Sequence, residues 1–531
     1  MAFEKIEDLS LTIEKLKKYG KESRNFVSIL ETLNSKCIND LINDLNSKFK
    51  SNLGRKAYSR MLLLGIIFYG ITVDEWRISK LASLCKKDII LKTFLNDKTP
   101  SESTLGRFLK NSDIKIIKKI FIYSLVVSNE YGFLKFLHMF IDGTDALIKG
   151  SKYYTLTRDE LNALIQMKDW NLLHDKSKKS IKRIKKELKV KKREFHGNEE
   201  IQNTIKIVEK RIMIYNKSLA KKIEEFEARF NEIDSDYISI TFPEAVMMPT
   251  KKGSFDFGLN LQNVMSENKI VLASILLDKP NDNLVLKEVL IELKENFTLL
   301  LEMMEKYSFK SNYKEIRRML KKAIYVMDSG YFSNENLETT YKYGINAIIM
   351  PKSMATQFNE EYKIEKGIKE PINIEDLDKI TKRHFKRGYN EYICLTGEIL
   401  PLTSVKDINS KYNHLHDADD DFLEKSYTYT CQSSSYCPYK DKCLGSDETK
   451  CLNYRITTAN HEMTNKLTED ANSKIYSERF HNSEGINGFH KNTNGVLLLL
   501  GSNKTATTNE INLRSAAYNI IRTRNLKGTV Y

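Results

Sequence analysis

No apolar run in this chain is long enough to cross a bilayer. The longest, Met61 to Val73, falls short of the roughly 20 residues that a spanning helix needs. The segment Met1 to Ser10 carries acidic side chains and lacks the apolar stretch of a secretory leader. Cysteine is scarce: seven in 531 residues cannot form the dense disulfide scaffold of a small secreted domain. These absences predict a cytoplasmic protein with no membrane partner. Acidic charge is also in deficit, 70 Asp and Glu against 85 Lys and Arg, which leaves a formal charge of +15. Such an excess favours an anionic partner, nucleic acid above all. Charge alone does not separate DNA from RNA or a membrane surface, and an AT-rich coding sequence would itself enrich lysine.

A chain of this length predicts roughly three or four domains. Residues 1–130 have Leu, Ile and Phe at helical spacing and read as a helical domain. Within it, the stretches Ser79 to Leu84 and Ser103 to Leu109 flank a turn at Asp97 to Pro100, with Ser101 or Ser103 available as a cap. Such a unit could place a helix in a DNA groove; a plain helical bundle is the alternative. An apolar run ends at Asp142, and residues 157–239 follow as a charged stretch, which Gly197 and Asn198 divide into a helical hairpin. Its basic face from Lys176 to Arg193 could lie along DNA, or the hairpin is a solvated arm. Alternating strands at Ser254 to Val264 and Lys269 to Leu277 come next, then a long helix, a strand ending at Asp328, a helix, and a strand at Asn346 to Met350. This order predicts an α/β fold with a ribonuclease H-like core built from residues 131–156, 240–352 and 470–531. Residues 353–469 form a late, polar insertion that contains a cysteine cluster.

Two aspartates cap apolar runs: Asp142, followed by Gly143 and Thr144, and Asp328, followed by Ser329 and Gly330. Either alone is an ordinary turn starter. A carboxylate at the end of a buried strand is poorly solvated, however, and needs a cation or hydrogen bonds to compensate it. In the predicted core the two strands are sheet neighbours, so the carboxylates could share Mg²⁺, which takes hard oxygen ligands and keeps several waters. A third acid is expected from the helical segment that carries Tyr476, Arg479, Glu484 and Lys491. At roughly 100° per residue these four share one side of a helix, an acid beside a phenol and two cations. Glu478 is the rival acid on the same helix. Two ions about 3.5–4 Å apart would activate the attacking oxygen and stabilise the leaving one in phosphodiester chemistry.

The motifs resemble those of insertion-sequence transposases of the DDE type, in the large group marked by a Tyr-Arg-Glu-Lys signature. Tyr476, Arg479, Glu484 and Lys491 are similar to that signature, with one more residue between Arg479 and Glu484 than its strict form has. Asp142 stands in its Asp-Gly-Thr context and Asp328 in its Asp-Ser-Gly-Tyr-Phe context. Pro100, Ser103, Thr104, Arg107 and Phe108 resemble the end of the helical domain that precedes the core, so the likeness spans most of the chain. Where the family often reads Asp-Ala-Arg or Glu-Ala-Arg, this chain reads Pro243, Glu244, Ala245, Val246. The resemblance implies a DNA transposase that cuts and joins transposon ends with Mg²⁺ or Mn²⁺. Asp142, Asp328 and Glu484 would be its catalytic metal ligands. Arg479 and Lys491 would hold DNA phosphates, with Tyr476 donating a hydrogen bond. Double-stranded DNA, as transposon ends and target, is the implied partner, bound by a homodimer associated with the nucleoid. A stand-alone metal-dependent nuclease and a non-catalytic DNA-binding derivative are the rival functions.

Cys431, Cys437, Cys443 and Cys451 cluster with five, five and seven residues between them. Four thiolates could hold a structural Zn²⁺ tetrahedrally. The spacing lacks a Cys-x-x-Cys knuckle, and four reduced, free thiols are the alternative.

Overall fold

The computed structural model describes residues 8–47, 57–75, 77–148, 235–249, 255–309, 313–408, 422–444, 447–491, 497–501 and 503–529, with short pieces between 155 and 233. The expected hairpin at 157–239, with its basic face, lies largely outside the described residues.

The amino-terminal region is helical, as its periodicity predicts: α1 (Leu9–Lys17), α2 (Arg24–Leu33), α3 (Lys36–Ser47), α4 (Arg60–Thr72), α5 (Ile78–Lys87), α6 (Ile89–Leu95), α7 (Glu102–Asn111) and α8 (Ile114–Glu130). Helix α4 is apolar on every side and is buried from Arg60 to Ile71, as such a helix must be. Between the two expected stretches the structure inserts α6. Asp88 caps it, accepting from Leu91 N at 2.9 Å. The chain leaves through Asn96 and Asp97, both with positive φ, and Ser101 then caps α7 by accepting from Thr104 N at 3.3 Å. Among the described residues no helix is long and apolar enough to cross a membrane.

The strands that follow are β1 (His138–Ile148), β2 (Thr155–Thr157), β3 (Tyr237–Ser239), β4 (Val246–Pro249), β5 (Phe255–Ser266), β6 (Val271–Leu277), β7 (Ile324–Met327) and β8 (Asn346–Ile349). Strand β5 pairs antiparallel with β1, β4 and β6, whereas β1, β7 and β8 run parallel to one another. Helices occupy the β6-to-β7 and β7-to-β8 connections, as parallel crossovers require. The fold is therefore α/β, with a mixed central sheet. Phe140 lies opposite Val326 in the parallel β1–β7 ladder. Asp142 and Asp328, each two residues further on, thus arrive at the same level on adjacent strands.

The late insertion has more structure than its polar composition suggests. Strands β9 (Lys386–Gly388), β10 (Glu391–Ile393), β11 (Ile399–Asp407), β12 (Glu424–Thr430) and β13 (Cys451–Thr457) form an antiparallel sheet in sequence order. Phe385, Tyr392, Leu400, Tyr427, Tyr429 and Leu452 give it a small core of its own. The chain returns through the helices Thr458–Thr468 and Asp470–His490, a short strand β14 (Leu497–Leu499) beside the end of β1, and the helix Lys504–Thr529.

That last helix lies between the amino-terminal helices and the sheet. Asn519 pairs with both backbone groups of Val271 on β6, at 2.8 and 2.9 Å. Asn509 donates to the carbonyls of Leu109 and Ser112 at 2.9 Å each. A sheet edge and a helix terminus thereby find partners they would otherwise lack. One apolar core runs through α1–α8, a face of the sheet and both long helices, Leu286–Lys306 and Lys504–Thr529.

Candidate active site

Asp142 and Asp328 meet where β1 and β7 end their pairing, and Arg479 bridges them. Its Nη1 lies 3.0 Å from Asp142 Oδ1 and 4.0 Å from Asp328 Oδ2. Asn487, from the same helix Asp470–His490, donates to Asp142 Oδ2 at 2.6 Å and accepts from Asn263 at 3.2 Å. Asp328 also accepts from Gly330 N at 2.8 Å and so caps the short turn Ser329–Tyr331. Burial pushes the Asp142 carboxyl up to about 6. Arg479 and Lys491 oppose that shift, while the charges of Asp328 and Asp282 add to it.

Asp282 is a carboxylate that the sequence reading did not single out. It starts the turn after β6, and its Oδ1 accepts from Asn260 Nδ2 at 2.8 Å and Gln262 Nε2 at 2.7 Å. The fully buried Tyr331 donates to Gln262 Oε1. A methyl group on Gly143 would lie 2.7 Å from Asp282 Oδ1, and one on Gly330 would lie 3.2 Å from Asp282 Oδ2 and 3.0 Å from Asp328 Oδ1. Gly143, next to Asp142, and Gly330, two residues beyond Asp328, thus make room for Asp282. Burial raises its carboxyl too, with the Asp328 charge adding and the two amides opposing. A signal was present in β5, where Asn260, Gln262 and Asn263 are almost wholly buried in an apolar strand. Buried amides need partners, and here those include a carboxylate.

The helix Asp470–His490 carries three of the four expected signature residues. Tyr476 is buried, not poised for DNA: its ring packs edge-on to Phe358, with centroids 5.8 Å apart, and lies 5.8 Å from the Arg479 guanidinium. It supports Arg479, which faces the aspartates and not the solvent. Lys491 falls one residue beyond the helix, its N–H bonded to Asn487 O at 3.2 Å. Glu484 lies in the helix, but its side chain is outside the described residues. The rival Glu478 is exposed and meets His138 Nδ1 at 3.0 Å, at the far end of β1 from the site turn. Glu244, standing in the divergent Pro-Glu-Ala-Val segment, contributes its carbonyl to the buried Arg229 at 3.1 Å.

Comparison with known families bears on this arrangement. Residues 406–524 match the family model of a transposase DDE domain, which takes in Tyr476, Arg479, Glu484 and Lys491. Residues 15–111 match that of a transposase domain (DUF772), which covers most of α1 through α7. The two matches support a DNA transposase. Neither reaches Asp142 or Asp328, and a search of curated proteins finds no match. DDE transposases generally use divalent ions such as Mg²⁺ and act on DNA. Arg479 shows that the Asp142–Asp328 pair accepts a cation, so these residues fit such an ion. Among the described residues, no three acidic, histidine or cysteine side chains stand together in a metal-binding arrangement.

The cysteine cluster is arranged differently from its expected set. Cys431, Cys437 and Cys443 line a cavity of about 340 Å³, and the thiol that joins them is Cys394, from the β10–β11 turn. Cys451 is exposed at the start of β13, with its sulfur 3.7 Å from Thr430 Oγ1. The antiparallel pairing of Thr430 with Cys451 explains this, because it fixes Cys451 on the strand and not in the cavity. All seven cysteines are free. Burial, the largest cause, raises the Cys443 thiol.

Proposed function

We propose that this chain is a DNA transposase that cuts and joins DNA ends at Asp142, Asp328 and Glu484 on a ribonuclease H-like core. The observation that carries the reading is the Asp142–Arg479–Asp328 arrangement: one carboxylate within β1 and one just after β7, at one level on neighbouring strands and held close enough to share a cation. The strand order β6-β5-β1-β7-β8, antiparallel then parallel, supports the assignment of the core. The two transposase matches support the activity.

Divalent ions held by Asp142, Asp328 and Glu484 would supply an activated attacking oxygen and a stabilised leaving oxygen. The protein's own contribution is positional. The β1–β7 ladder sets the spacing of the two aspartates, and Asn487 orients Asp142 through a neutral donor. Lys491, beyond the helix end, and Arg479, once released from the aspartates, offer cations to DNA phosphates. Water would attack the end phosphodiester, and the freed 3′ hydroxyl would then attack target DNA, with no covalent protein intermediate. A homodimer bound to two DNA ends is the assembly that this reaction implies.

The test is a strand-transfer assay with Mg²⁺ on duplexes that carry the inverted repeats flanking the gene. Joined products support the transposase; cleavage without joining would identify a nuclease instead.

A further inference from the structure

We propose that Asp282 is a positioning residue of this site, a fixed negative charge behind Asp142 and Asp328 that strengthens their hold on a divalent cation without ligating it. The inference rests on the reading of the site given above and extends it to a residue outside the acidic triad.

Three observations carry it. Asp282 Oδ2 and Asp328 Oδ1 lie 3.2 and 3.0 Å from one point, the position a Gly330 methyl would fill. Its other oxygen, Oδ1, lies 2.7 Å from the position a methyl on Gly143, beside Asp142, would fill. The carboxylate is thus wedged against the residue after Asp142 and the turn after Asp328. Secondly, its place is fixed by more than its own side chain. The Asp282 carbonyl accepts from Asn336 Nδ2 at 3.0 Å, and the next carbonyl, of Asn283, accepts from Ser333 Oγ at 2.6 Å. Asn336 is itself buried and accepts from Leu286 N at 3.3 Å. Thirdly, the donors to its side chain, Asn260 and Gln262, are neutral amides. They orient the charge but do not cancel it, whereas the charge of Asp142 is met by Arg479.

A charge held a few ångströms from a cation in a partly desolvated pocket is screened far less than one in water. Asp282 therefore favours a doubly charged ion over the singly charged guanidinium that bridges Asp142 and Asp328. Because it does not coordinate, its loss weakens capture of the ion without removing a ligand.

The experiment uses the full-length chain without DNA and Mn²⁺ as the probe, followed by electron paramagnetic resonance or calorimetry. Asp282→Asn leaves an amide oxygen for Asn260 and Gln262 and replaces the charge beside Asp328 with an NH₂ group. Its Mn²⁺ affinity should fall about tenfold or more; in a separate nicking assay on duplex DNA, its cleavage rate should return to that of the unaltered chain at saturating Mn²⁺, so that the KM for metal changes and kcat does not. Asp142→Asn, measured in parallel, should lose high-affinity binding. Should Asp282→Asn fail to fold, Asp282→Ser is smaller, still offers an oxygen to the two amides and carries the same expectation. Unchanged Mn²⁺ affinity in the folded Asp282 variant, with binding lost in Asp142→Asn, would overturn the inference and leave the site standing. Unchanged affinity in both Asp142→Asn and Asp328→Asn would overturn the site, and this inference with it.

Discussion

Arg479 Nη1 donates to Asp142 Oδ1 at 3.0 Å across a gap of 337 residues, and in doing so occupies the side of the carboxylate that Asp328 shares. A guanidinium and a divalent ion cannot both sit there, because their like charges would repel at that distance. In the proposed reaction a divalent ion would take that place only once Arg479 left the aspartates, which would free the guanidinium for DNA.

Arg479→Ala should therefore have two opposite effects. The DNA-free protein should bind Mn²⁺ more tightly, since a competing cation is gone. Binding to DNA ends should weaken, with a shallower dependence on salt, because a phosphate contact and its counterion release are lost. Calorimetry and a gel-shift salt series measure the two effects separately. Weaker Mn²⁺ binding would show that Arg479 supports the site and does not compete with it.

The position of Asp142 also sets a pH dependence. Its carboxyl is raised from 3.8 to about 6, chiefly by burial. A raised carboxyl binds its proton more tightly in the folded state, so its contribution to stability is full below about pH 4 and is lost as pH rises through about 6. Relative to Asp142→Asn, the metal-free chain should lose up to about 3 kcal/mol across that window, by the usual conversion of pKa shift to free energy. Urea denaturation of both proteins between pH 4 and 8 gives the difference. A flat difference would place Asp142 in a more solvated setting.

A buried ion pair anchors the carboxy-terminal helix. Arg514, 1% exposed, bonds Glu510 and donates to His490 O at 3.1 Å, while Glu510 Oε2 accepts from the backbone of Leu500 and Gly501 at 2.9 and 3.1 Å. Glu510→Ala removes the carboxylate bonded to Arg514 inside the core and should cost about 3–5 kcal/mol. The midpoint of denaturant unfolding reads it. A loss below about 1 kcal/mol, typical of an exposed pair, would contradict the burial.

Some of this was legible in the sequence and some was not. Asp142 and Asp328 could be found because each ends a run of apolar residues, a local signal, and the strand order followed from periodicity. The helix Lys504–Thr529 had no such signal. It is buried on several sides by α2, α4, α7, α8 and β6, so the buried Asn509, Asn512 and Asn519 interrupt any apolar stripe, with Asn509 and Asn519 serving as hydrogen-bond partners. Asp282 was missed because its neighbours, Pro280, Asn281 and Asn283, read as a turn. What makes it part of the site is a long-range register, Gly143 opposite Gln262 and Asp145 opposite Asn260 on β5. Cys394 lies far from the cysteine cluster in the sequence, and again long-range pairing, of β10 with β11 and of β11 with β12, brings it to the cavity that Cys431 lines. The signature residues were read as one DNA-facing side, yet Tyr476 and Arg479 turn inward. Helical phase fixes which residues share a side, not which side is buried.

The two acids of the helix Asp470–His490 can be separated directly. Glu484→Gln should suppress both hydrolysis and joining. Glu478→Gln should leave both within about twofold, since it loses only an exposed contact with His138, of the kind worth little. Parallel nicking and joining assays would decide between them. An inactive Glu478→Gln beside an active Glu484→Gln would shift the assignment along the helix and leave the aspartates in place.

The central claim, that Asp142 and Asp328 are the metal-binding carboxylates of a DNA-cleaving site, is tested most directly by nicking and gel-shift assays on one preparation of each variant. Asp142→Asn and Asp328→Asn should each abolish strand cleavage in Mg²⁺ and in Mn²⁺ while still binding DNA ends, because each loses a ligand charge with almost no change of shape. Cleavage at the level of the unaltered chain in either variant would contradict the claim for that residue.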